Sequence, residues 1–161
     1  MKKFLIQSIA LLLLIVGGIF FYKGNELNLP FAPHLIKTYQ LKINENILKV
    51  EVADTQEKRS KGLGGRQALA SDEGMLFVFL KMDKYPFWMK GLTFPLDFVW
   101  ISGSEVVDIL QNVAPPAVDL PDQSLTIYQP KVVVDKVLEV NGGTIQRLNI
   151  KVGDNLSLSA K

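Results

Sequence analysis

The sequence predicts a mainly β domain of α+β type. It is a compact barrel-like or folded antiparallel or mixed sheet with one short helix, preceded by a single N-terminal transmembrane helix. Three observations carry this reading. Over residues 38–159 the apolar residues either alternate with polar ones or form short runs, which is a strand period and not a helical one. Turn residues recur at short intervals, at Asn44-Glu45-Asn46, Ser71-Asp72-Glu73-Gly74, Ser102-Gly103-Ser104-Glu105 and Asn141-Gly142-Gly143, which suits about seven or eight short strands. Phe4 to Tyr22 carries no charge at all.

That uncharged stretch spans about 28 Å as a helix, close to the roughly 30 Å of a bilayer's hydrocarbon core. Phe20-Phe21-Tyr22 supplies an interfacial aromatic belt, and Lys2 and Lys3 favour a cytoplasmic N-terminus. A cleaved signal peptide has a shorter apolar core and a small-residue cleavage site, and Phe20 to Gly24 makes a poor one. Residues 1–23 are therefore expected to be an uncleaved anchor that leaves the remainder outside the cytoplasm, secreted if the segment is cleaved after all. Residues 24–37, with Gly24, Asn25, Pro30 and Pro33, read as a linker. Residues 38–159 read as one domain.

Within it, Thr38 to Asn44 and Ile47 to Ala53 form a predicted hairpin, since Tyr39, Leu41 and Ile43 alternate with polar residues, as do Leu48, Val50 and Val52. Asp54 is the expected cap of a short helix, with Glu57 completing a capping box and pairing with Lys61. The helix stops at Gly62-Leu63-Gly64-Gly65. Met75 to Leu80 is a short apolar run that suits a strand buried on both faces, and Leu96 to Ile101 is a second strand. Tyr85-Pro86 and Phe94-Pro95 bracket a connection, Phe87 to Thr93, whose prolines fix it as an ordered, ligand-sized piece. Val106 to Val113 returns as a strand. Ala114 to Pro130, with four prolines, is a long surface loop. Lys131 to Val140 is a strand, Asn141-Gly142-Gly143 opens a single helical turn through Leu148, and Leu156 to Ser159 closes the domain.

Composition excludes several chemistries. There is no cysteine, hence no disulfide, no thiolate nucleophile and no cysteine metal site, and the single histidine, His34, lies in the linker. A histidine metal cluster or a Ser-His-Asp triad is not expected, and neither a metal nor a cofactor is implied. Net charge is +2, and setting aside Lys2, Lys3 and Lys23 leaves 15 basic residues against 16 acidic, so no basic field argues for nucleic acid.

Five segments, VEVADTQEKRSKGLGGR, GMLFVF, FWMKGLTFPLDFVWI, VLEVNGG and IKVGD, stand in an order that resembles the uncharacterised family known as domain of unknown function 192. The resemblance runs from Lys49 to Leu158. Its most specific piece is the tryptophan-methionine-lysine followed by proline-leucine-aspartate. It implies a small, mostly β domain with a short helix, often behind an export or anchoring segment, and no known activity. The chain departs from the family pattern at three places. Gly91-Leu92 stand for the usual asparagine-threonine, Gly64 stands for a usual methionine, and Ala117-Val118-Asp119 follow Pro115-Pro116 where many members carry cysteines.

Candidate ligand-binding residues are Arg59, Arg66, Trp88, Lys90, Asp97 and Glu139; no catalytic residue is assigned. Lys90 and Asp97 sit in apolar sequence, where a lone charge is costly, so they are expected to be paired or to face a wet cleft. In the functional reading they line a polar pocket walled by Trp88, with Arg59 or Arg66 on an anionic group. In the bland reading they are a structural ion pair or a turn-capping carboxylate. Glu139 facing Asp97 would make the carboxylate pair of a glycosidase-like hydrolase, whereas a solvated strand face or a lysine partner is the plainer account. Trp88 and Met89 read either as a sugar or lipid platform or as core. Gly62 to Arg66 reads as a weak phosphate nest or simply as a helix stop. Three functions follow: a membrane-anchored small-ligand-binding or accessory module, an extracytoplasmic carboxylate-dependent hydrolase, or a protein-partner-binding domain.

Overall fold

A computed structural model describes residues 37–117 and 120–160, which fall within one compact unit, Ile36–Lys161. The expected anchor, residues 4–22, and all but the last residue of the linker lie outside the described residues. No helix among the described residues is long and apolar enough to cross a membrane.

Seven strands follow the alternation of the sequence: β1 (Thr38–Ile43), β2 (Asn46–Ala53), β3 (Glu73–Asp83), β4 (Leu96–Ser102), β5 (Glu105–Val113), β6 (Val134–Asn141) and β7 (Leu156–Ala160). Two short helices join them, α1 (Gln56–Lys61) and α2 (Thr144–Leu148). The strands form a single sheet in the order β5-β4-β6-β3-β2-β1-β7. Neighbours run antiparallel except β2 and β3, which are parallel. The two outer strands approach at one corner, where Val106 N donates to Asp154 O and Leu156 N donates to Ser104 O, each at 2.8 Å. The sheet is thus a curled half-barrel.

Curling gives the sheet two buried faces, because successive side chains of a strand point to opposite sides. On one face Leu41, Leu48, Val50, Leu76, Val99 and Leu138 pack with Ile145 of α2. On the other, Phe77, Phe98, Trp100 and Val137 pack with Leu63, Phe87, Met89 and Leu92 from the connections. This second layer follows from topology. A parallel β2–β3 pair needs a crossover, so α1 and residues 62–72 must lie over the sheet. β3 and β4 are separated by β6, so residues 84–95 must also pass over it. Both passages lie on the same face.

Several local expectations shift. The N-cap of α1 is Thr55, whose hydroxyl accepts from Lys58 N, while Asp54 binds Lys58 Nζ at 2.7 Å. This is the i,i+4 ion pair of the helix in place of the expected Glu57–Lys61. Asp54 sits one residue too early to reach the first free N–H groups. The helical turn expected through Leu148 forms as α2, Thr144–Leu148, after Asn141 ends β6, so the domain has two short helices where one was expected. β6 begins at Val134 and not at Lys131, because Lys131 N donates to the Asp108 carboxylate at 3.0 Å instead of to a ladder.

Candidate functional site

A cavity of about 730 Å³ opens between the two passages. Its floor comes from β3 and β6, through Phe77, Phe79 and Glu139. One wall is α1 and its glycine-rich exit, Gln56 to Gly65; the other is Tyr85 to Leu92. The walls touch backbone to backbone. Gly65 N donates to Gly91 O at 2.8 Å, and Gly91 holds φ +68°, where a side chain is strained. A Cβ on Gly64 would stand 3.2 Å from the carbonyls of Lys61 and Lys90. Two of the three departures from the family pattern, Gly64 and Gly91-Leu92, therefore meet at this closure, with Leu92 lining the cavity beside the glycines.

The wall on the other side is pinned to the long loop. Phe87 and Tyr128 exchange two backbone hydrogen bonds of 2.9 and 2.8 Å, and Lys90 binds Asp122 in the 3-10 turn Asp122–Ser124. Tyr85 donates its hydroxyl to Lys81 O at 2.7 Å. Its ring stacks on Phe79 at 3.5 Å between centroids, and the Arg59 guanidinium lies 5.1 Å from the other partner of that stack, the Phe79 ring. Phe77 and Phe87 meet edge to face at 5.0 Å. Aromatic surface therefore dominates the interior, and cations occupy the mouth: Arg59, Lys61, Lys81 and Lys90.

Glu139 is the only carboxylate among the cavity's lining residues. It is 4% exposed, and none of the hydrogen bonds or ion pairs among the described residues reaches its carboxyl. Its neighbours across the ladder are Met75 on β3 and Phe98 on β4. Removal from water, uncompensated, pushes its pKa up from 4.5 to about 8. At neutral pH it is mainly a neutral acid, with one proton to donate and a carbonyl to accept.

Of the six residues singled out in the sequence, Arg59, Trp88, Lys90 and Glu139 line this cavity, whereas Arg66 and Asp97 do not. Arg59 is largely engaged, with Nη1 donating to the carbonyls of Asp54 and Val78, both at 2.9 Å. Trp88, 47% exposed, stands at the rim, while its neighbour Met89 is core. Arg66 makes a two-pronged ion pair with Glu51, at 2.6 and 2.7 Å, and that hydrogen-bonded carboxylate holds its guanidinium pKa above the ordinary value.

Lys90 and Asp97 are not partners. Asp97 is wholly buried, and its two oxygens accept from Asn112 N at 2.7 Å and Ile145 N at 2.8 Å. It thereby ties a bulge of β5 and the start of α2, whose own cap residue is a glycine, to β4. Asp97 lies opposite Val140, and Glu139 lies opposite Phe98, so the two carboxylates point to opposite faces of the sheet. The facing pair that a two-carboxylate hydrolase requires is not formed by these residues. Among the described residues, no cluster of three or more acidic or histidine side chains is placed to hold a metal ion.

Sequence reasoning missed Lys61, Lys81, Phe79 and Tyr85 as parts of one site. Their only signal was the tyrosine-proline that starts the second passage, which does not reveal what that passage crosses.

The comparisons agree with this architecture. A family model described as DUF192, uncharacterized ACR, matches residues 39–158. The structure of a candidate transcription regulator from Sinorhizobium meliloti 1021 is similar, with TM-score 0.65 and 31% identity over 76% of this chain and 92% of that one. So is that of a protein of unknown function from Novosphingobium aromaticivorans DSM 12444, with TM-score 0.64 and 29% identity over 74% and 83%. No curated protein matches. The matched span, most of the chain, places it in the DUF192 family.

Proposed function

We propose that this protein is a membrane-tethered, extracytoplasmic module that binds a small organic ligand in the cavity floored by Glu139. The observation that carries the reading is Glu139 itself. A buried acid without a protein partner is costly, and here it borders a space large enough for a drug-sized molecule. A wall of aromatic rings beside a few convergent polar groups is the composition of a ligand site and not of a plain core. The tether rests on the uncharged run from Phe4 to Tyr22 and the lysines before it. The partner-binding alternative would rest on exposed apolar side chains, among them Leu80 and Met82 on β3 and the adjacent Val132 and Val133.

Native mass spectrometry of the full chain, released from nanodiscs of one synthetic lipid, tests the pocket. The expected result is a reproducible added mass other than that lipid, which leaves on denaturation and is missing in Lys90→Ala. A bare chain mass in every preparation would overturn the reading.

A further inference from the structure

The cavity is bipolar. Its deep end holds one carboxyl, and its mouth holds four cationic side chains, Arg59, Lys61, Lys81 and Lys90. Arg59 and Lys90 are engaged, with Val78 O and Asp122 respectively, while Lys61 and Lys81 have no ion-pair partner among the described residues. The apolar lining includes Phe77, Phe79, Tyr85 and Phe87, with Phe79 already stacked on Tyr85 and faced by Arg59. Two ligand classes can satisfy a partnerless buried carboxyl. A cationic amine would take it as a carboxylate, and a hydrogen-bond acceptor would take it as a neutral acid. The mouth separates these classes, because a cation must pass and sit near four like charges, whereas an anion is drawn in.

Resting on the pocket reading above, we propose that the ligand is an anionic amphiphile with an apolar body. Its anionic group lies among Lys61, Lys81 and Lys90 at the mouth, and an acceptor oxygen at its buried end accepts a hydrogen bond from the Glu139 carboxyl. Such a ligand leaves every group in the protonation state it holds in the empty cavity at neutral pH, so no proton has to be released on binding. The titratable groups that share the cavity with Glu139 are Arg59, Lys61, Lys81, Tyr85 and Lys90, and the flanking strands present only Met75 and Phe98 to it. A change in affinity between pH 7 and pH 9 that is lost in Glu139→Gln would report Glu139.

The test is calorimetric titration of the full chain in nanodiscs with two matched probes, 6-acetyl-2-naphthoate and its cationic counterpart 6-acetyl-2-(aminomethyl)naphthalene. The naphthoate should bind at least tenfold more tightly than the amine. Its affinity should fall about tenfold between pH 7 and pH 9, as the acid loses the proton it donates. That pH dependence should vanish in Glu139→Gln, whose amide keeps a donor at all pH values, and Lys61→Ala/Lys81→Ala should weaken the naphthoate while sparing the amine. Tighter binding of the amine, rising with pH and lost in Glu139→Gln, would overturn the anionic class and leave the pocket standing. Binding of neither probe would overturn both.

Discussion

Asp97 and Glu139 sit next to each other in the ladder between β4 and β6, yet they live in opposite worlds. Both are buried carboxylates: one is wholly covered, and the other is 4% exposed. Asp97 points into the face that packs with α2 and receives two backbone N–H groups. Glu139 points into the cavity face and receives none. Burial alone thus says little about role. What matters is whether the fold has already spent its donors on the group. Where it has, the carboxylate is architecture; where it has not, the carboxyl remains available to something from outside.

The amide substitution distinguishes the two most sharply. Asp97→Asn offers one acceptor to two buried donors and turns an amide N–H toward one of them. An unsatisfied buried donor costs about 1–3 kcal/mol, so Asp97→Asn should lose about 3 kcal/mol and Asp97→Ala about 4 kcal/mol. That is a large fraction of the total stability of a domain this size. Urea unfolding of the full chain at pH 7 measures it. A loss below about 1 kcal/mol in both variants would mean that Asp97 does not hold the bulge and α2 in place.

Glu139→Gln should do the opposite. The folded chain holds a proton on Glu139 up to about pH 8, whereas the unfolded chain releases it near 4.5. Between these values the folded state carries the extra proton, so stability falls as pH rises, by about 1.4 kcal/mol per unit from this group. Below pH 4.5 the penalty is absent, and above pH 8 it is complete. Glu139→Gln removes it and should be about 3 kcal/mol more stable than the parent at pH 7 and nearly equal to it at pH 4.5. Unfolding curves at pH 4.5, 6, 7 and 8 give the slope directly. Parallel pH profiles for parent and variant would place a compensating partner on Glu139.

The contrast was only half legible before the structure. Asp97 and Glu139 stood out as charges within apolar strands, and a facing pair and separate faces both fitted the sequence. Neither strand's pattern says how the two register, and a one-residue slip exchanges every facing pair. The hairpin, the strand at Met75 (buried on both faces only as far as Phe77, with Leu80 exposed) and the ordered connection from Phe87 were readable because they are local, set by period, glycine and proline. The cavity was not, because it exists only where two passages cross one sheet face. That crossing follows from the parallel β2–β3 pair and from β6 entering between β3 and β4, which are pairings between segments far apart in the chain. Arg66 shows the same limit. Beside a glycine turn it resembled an anion-binding arginine, but its anion is Glu51, supplied by the neighbouring strand β2.

Two ion pairs extend the comparison from carboxylates to cations, with smaller effects. Arg66 and Glu51 form a partly buried, two-pronged pair, and Lys90 and Asp122 form a single-pronged one with both side chains more than half exposed. Planar, bidentate geometry in partial burial retains value that an exposed ammonium loses to water and to side-chain entropy. Arg66→Ala should therefore cost about 1 kcal/mol in unfolding free energy, whereas Lys90→Ala should cost no more than about 0.5 kcal/mol, an effect largely screened away at 0.5 M salt. The small second value keeps Lys90→Ala usable as a binding probe, since a variant that stays folded reports on the cavity mouth alone. If Lys90→Ala proved as destabilising as Arg66→Ala, the Lys90–Asp122 contact would be a brace between the cavity wall and the long loop. Ligand recognition at the mouth would then fall to Lys61 and Lys81.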